Sequence, residues 1–141
     1  MNLADRQKAV EATLARFKGK PFSWSGANCI RFARYHAVQM GHQLPPVPQF
    51  RTALGAKRAL AKRGYGSVGK MLDRYFTRHR APAFAMLGDL VALPADPELG
   101  LEAVCIADGQ GNVWGWSEQN DSAEPVAILA IEADVMAAWR L

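Results

Sequence analysis

Apolar residues recur at helical spacing through the first part of the chain and in short, strand-length runs through the last part. Leu3, Val10, Leu14 and Phe17 mark one face of a helix over 3–18, with Asn2 as N-cap and Gly19 just beyond its end. Pro21 to Gly26 reads as a turn. A second helix is predicted from about Asn28 to Met40, turning Ile30, Ala33, Ala37 and Met40 inward, with Asn28 as cap and Gly41 as stop. Three prolines make 41–49 a loop. A third, strongly basic helix is predicted over 52–63 and stops at Gly64, and Ser67 caps a fourth that runs through Phe76. Near Ala83 the period changes. Residues 89–93, 101–107, 112–116 and 126–131 are apolar runs of strand length, and Asp108-Gly-Gln-Gly-Asn112 has the chemistry of a hairpin turn. Residues 132–139 are predicted to close the chain as a short helix. Helices first and strands second predict one α+β domain over 1–141, with an antiparallel sheet.

Composition narrows the classes. At 141 residues, half of them apolar, the chain can bury a core without covalent staples. Two cysteines, Cys29 and Cys105, make no disulfide framework, and neither a metal-binding spacing nor a cofactor motif is present in the sequence. The first residues lead into an amphipathic segment instead of an apolar leader, and no run approaches the roughly 20 apolar residues of a membrane helix. Synthesis and folding in a cytoplasm are therefore expected.

The net charge of +4 conceals a strong division. Residues 1–80 carry 16 Lys/Arg against Asp5, Glu11 and Asp73, a net of +13, whereas residues 81–141 carry Arg140 against ten Asp/Glu, a net of −9. Such polarity can steer assembly against an oppositely charged partner, or it can be two solvated surfaces that differ in sign. Nucleic acid is not an expected partner, because the basic half lacks interleaved aromatics and any nucleic-acid motif. Lys57, Arg58, Lys62 and Arg63 read either as a solvated helix face or as a phosphate- or lipid-facing patch.

The chemistry concentrates at Pro21-Phe-Ser-Trp-Ser-Gly-Ala-Asn-Cys29. A thiol in the first turn of a helix feels partial positive charge, and the free N–H groups there can hold an oxyanion. Cys29 is thus a candidate nucleophile, against the alternative of a small buried residue. The segment resembles the nucleophile motif of NlpC-type cell-wall peptidases, in which a Tyr-x-Trp-Gly turn precedes Asp-Cys-Ser-Gly. Gly88-Asp89-Leu90-Val91 resembles that family's Gly-Asp-Leu-Val strand, and 101–109 its His-Val-Gly-Ile strand and turn. Together these cover 20–117. A phage-tail family related to those peptidases is closer still. Its features match Trp-x-Gly-x-Asn-Cys at 24–29, Thr-Ala-Leu-Gly-Ala at 52–56, Gly-Tyr-Gly-Ser at 64–67, Gly-Asp-Leu-Val at 88–91 and Ala-Trp-Arg at 138–140.

The resemblance implies a papain-like (NlpC-type) fold, with N-terminal helices packed on a small antiparallel sheet and Cys29 opening the central helix. It also exposes departures. The family's histidine position falls near Leu101, and no histidine follows Gly88. The third polar position falls around Gly115, the upstream tyrosine is Phe22, and the aspartate before the cysteine is Asn28. A thiol without an imidazole lacks the base and acid that peptide cleavage needs. His36 lies seven residues beyond Cys29, roughly 10 Å along the helix, too far for a hydrogen bond. His42 is farther, and His79 either stands in as the base or is a solvated surface residue.

The expected function is therefore a non-catalytic component of a phage tail, near its distal end or baseplate. Tail and baseplate proteins, and the bacterial cell wall, are the expected partners, and the virion is the expected location. The alternative is an active peptidoglycan endopeptidase or amidase with Cys29 as nucleophile. A third reading is a wall-binding module using Trp114 and Trp116, which share one strand face and serve either as a platform or as core. Cys105 is expected in the core.

Overall fold

The computed structural model describes residues 1–94, 100–117, 124–129 and 134–141. Four helices come first: α1 (Leu3–Phe17), α2 (Cys29–Gln39), α3 (Ala53–Lys62) and α4 (Val68–Tyr75). Each starts where a side chain takes an otherwise unpaired N–H of its first turn. Asn2, Asn28 and Ser67 are the caps the sequence predicts, and Thr52, read there as the first residue of the third helix, caps α3.

Among the described residues six strands follow the first helices: β1 (Thr77–Arg78), β2 (Leu90–Leu93), β3 (Ala103–Ala107), β4 (Asn112–Gly115), β5 (Val126–Leu129) and β6 (Ala137–Arg140). They form one antiparallel sheet in the order β1-β6-β2-β3-β4-β5. The α+β class and the hairpin at 108–112 match the sequence reading. Two features do not. The predicted helix over 132–139 is replaced at its end by β6, which pairs with β1 and β2; residues 132–133 lie outside the described residues. Ala-rich helix propensity is weak against two strand partners, which bury Ala137, Ala138 and Trp139 completely or nearly so. The two-residue β1 is too short to leave a period-2 signal. For the run at 126–131, the strand is seen through Leu129, and 130–131 lie outside the described residues.

The sheet buries its two faces unequally. Val104, Ile106, Leu90, Ala92 and Trp139 face the helices and join Phe17, Phe32, Ala37 and Leu72 in the main core. Val91, Cys105, Ala107, Val113 and Ala138 form a smaller apolar layer on the opposite face. Helix α2 packs against both α1 and β3. That places its first residue, Cys29, where the helices meet the sheet.

Candidate functional site

The turn before Cys29 is held by one side chain. Asn28 is fully buried. Its carbonyl oxygen accepts from the N–H groups of Ile30 and Arg31, both at 3.1 Å. Its amide nitrogen donates toward the carbonyls of Ser23 (3.3 Å), Trp24 (3.3 Å) and Gly26 (3.2 Å). An amide can do both at once, whereas a carboxylate only accepts. Asparagine here is therefore fitted to the turn in a way that the aspartate of the resembling motif is not. The same bonds take up the Ile30 and Arg31 N–H groups that an oxyanion would otherwise use.

Cys29 itself is half-buried, and its thiol is less acidic than an ordinary cysteine. Burial is the larger cause and raises the pKa. The N–H groups of Val104, Cys29 and Ile30 pull it down, and Glu102 adds a small upward push. The sum leaves a protonated thiol at neutral pH, the reverse of an activated nucleophile. Cys105 lies in the smaller apolar layer, as expected, with its pKa pushed up to about 12 by burial and then by Cys29.

Every histidine ring is engaged away from Cys29. His36 is fully buried in α2. Its Nδ1 lies 3.0 Å from the Thr13 hydroxyl, and its Nε2 donates to the Gly88 carbonyl at 2.8 Å. Burial lowers its pKa to about 4, so the ring is neutral at physiological pH. His42 sits edge-on to Phe76 with ring centroids 5.0 Å apart. His79 is no solvated residue: its side chain is 15% exposed and its Nε2 lies 2.8 Å from Asp89 Oδ2. The strand β6, whose Ala138 carbonyl accepts the His79 N–H, pulls it inward.

Asp89, the aspartate of Gly88-Asp-Leu-Val91, anchors a buried polar cluster that sequence reading missed. Its Oδ1 accepts from Arg6 Nη1 and from the Leu141 N–H, both at 3.1 Å. Its Oδ2 accepts from His79 and from the Met86 N–H at 2.9 Å. Arg6 donates further to the carbonyls of Leu87 (2.6 Å) and Leu141 (3.0 Å). One carboxylate thus ties α1, the loop before β2 and the C-terminal strand together. A signal existed: Arg6 interrupts the buried stripe Arg6, Ala9, Val10, Thr13, Phe17 of α1 with a charge.

The remaining candidate positions are apolar. Leu101 is buried in the main core. Gly115 pairs on the sheet beside Cys105, and a Cβ added there would meet Cys105 Sγ at 2.6 Å, so no polar side chain fits. Phe22 is exposed and stacks edge-on to Trp24 and Trp116. Trp114 and Trp116 are both half-buried against the main core. The indole N–H of Trp116 donates to the Lys20 carbonyl at 3.1 Å.

A family model described as a domain of unknown function (DUF6950) matches residues 1–141. The chain belongs to the DUF6950 family. No curated protein matches this DUF6950 chain. Among its described residues no group of three or more His, Cys, Asp or Glu could hold a metal ion. No helix among them is long and apolar enough to cross a membrane.

Proposed function

We propose that this DUF6950 chain is a papain-like, NlpC-type domain that has lost catalysis and serves as a structural component of a phage tail, in its distal or baseplate region. The observation that carries the reading is the environment of Cys29. A cysteine opens a helix packed on an antiparallel sheet, as in a thiol peptidase, yet its thiol is held protonated and every imidazole is bound elsewhere. Two helix N–H groups suited to an oxyanion are already bonded to Asn28. The Gly-Asp-Leu-Val aspartate is spent on holding three segments together. The tail role rests on the ordered motifs shared with the phage-tail family and on the charge division, which suits assembly with partners.

In this reading the chain is made in the bacterial host and ends in the virion, bound to other tail proteins. Quantitative mass spectrometry of purified particles tests it. The chain is expected in fixed proportion to the known tail proteins, and its absence from particles overturns the tail role. Purified protein is expected to release no peptide fragments from bacterial cell walls. Release that disappears in Cys29→Ala would establish the peptidase instead.

A further inference from the structure

A cleft of about 560 Å³ runs beside the start of α2 and is lined by Arg16, Lys20, Arg31 and Arg34, with no acidic residue in its walls. The four cations are not equivalent. Arg34 is already satisfied, its Nε donating to the Pro45 carbonyl (2.9 Å) and its Nη2 to the Leu44 carbonyl (3.1 Å). Arg16 is exposed at the rim, and Lys20 is half-buried there with its Nζ over the Phe17 ring. Arg31 differs from all of them: its Nε and Nη2 are buried and have no hydrogen-bond partner. Its guanidinium lies 5.7 Å from the centre of the Phe50 ring.

Buried guanidinium donors without acceptors are destabilising, and native structures almost always provide an acceptor. The two unpaired atoms are not scattered. Nε–H and Nη2–H form one edge of the planar group, the fork that matches two oxygens of a carboxylate or phosphate. A single anion would therefore satisfy both. The rim cations add a positive field that draws anions toward the cleft.

We propose that this cleft is a binding site for a two-oxygen anion, a carboxylate or phosphate group, gripped by the Nε–Nη2 edge of Arg31. Entry needs the side chains covering that edge to turn aside, an ordinary rotamer change at a binding surface. Arg16 and Lys20 attract the ligand, and Arg31 fixes its orientation. The site goes beyond the tail role and does not depend on whether Cys29 is idle.

The test is a titration of the full chain, followed through the Arg31 Nε–H resonance, with sodium phosphate and separately with sodium acetate. Sodium chloride at matched ionic strength is the control. A saturable shift with either anion and none with chloride is expected; saturation by phosphate alone identifies a phosphate-bearing ligand, and by acetate a carboxylate. Arg31→Lys keeps the charge but loses the fork, and is expected to weaken binding by about tenfold or more. Arg16→Gln combined with Lys20→Gln removes the two rim charges and leaves the Arg31 fork in place. It is expected to weaken binding severalfold and flatten its salt dependence, which keeps the test open if Arg31→Lys fails to fold. No saturable shift with either anion, or undiminished binding in a folded variant of either kind, overturns the proposal.

Discussion

Nε2 of His79 lies 2.8 Å from Oδ2 of Asp89, in a cluster where the carboxylate is fully buried and also bound by Arg6. The pairing gives the last histidine of the sequence a structural partner. It also makes the motif aspartate indispensable for a reason other than chemistry.

Asp89→Asn should be severely destabilising. The amide leaves the Arg6 charge buried without its counter-ion and, in place of Oδ2, sets an N–H₂ against the Met86 donor. Breaking a buried pair in this way costs about 3–5 kcal/mol. Asp73→Asn is the control, because its pair with Arg78 is roughly half exposed and worth no more than about 1 kcal/mol. Urea unfolding of the two variants should separate them clearly; equal losses would mean that the buried cluster is not a structural hub.

Asn28→Asp restores the residue of the resembling peptidase motif, yet it should destabilise the fold at neutral pH. A carboxylate gains about 0.3–1 kcal/mol from the helix N-terminus. It then faces the Ser23, Trp24 and Gly26 carbonyls with no proton to give, at a cost of about 1–3 kcal/mol for buried unpaired groups. The loss should shrink in acid, where a protonated carboxyl can donate. Unfolding midpoints at pH 7 and pH 4.5 measure it, and a variant as stable as wild type at pH 7 would refute the role given to the amide.

His36 should make stability fall in mild acid. Its pKa is about 4 in the folded chain, against an ordinary value near 6.5 in the unfolded one. Between those values the unfolded state takes up a proton that the native state refuses. The contribution is therefore complete above about pH 6.5, declines as the pH falls, and is gone below about 4. Its full size is of order 3 kcal/mol. The ring resonances of His36 in the folded protein should titrate with a midpoint near 4; a midpoint near 6.5 would show that the ring is not held neutral by burial.

Helix positions were legible because their signals are local. Asn2, Asn28 and Ser67 lie next to the turns they cap, and each helix runs for at least two turns. The strands around the 108–112 turn were legible for the same reason. What stayed hidden depends on distant partners. The end of the predicted 132–139 helix, Ala137 to Trp139, reads as helix until β1 and β2 supply neighbours on both sides. His79 reads as surface until β6 and Asp89 fold over it. At the site, the position of Cys29 and the lack of a following histidine were visible in the sequence. The engagement of Asn28, the burial of the thiol and the unpaired edge of Arg31 were not, because each is set by packing between segments.

The chemical idleness of Cys29 is tested most directly by the rate at which its thiol is alkylated by iodoacetamide as a function of pH, with Cys105→Ala as background. A protonated thiol that lacks an imidazole predicts slow alkylation at pH 7 and a rate that keeps climbing above about pH 9, past the ordinary cysteine range. A fast rate that is already level below pH 7 would reveal a stabilised thiolate with a basic partner, and would contradict the account.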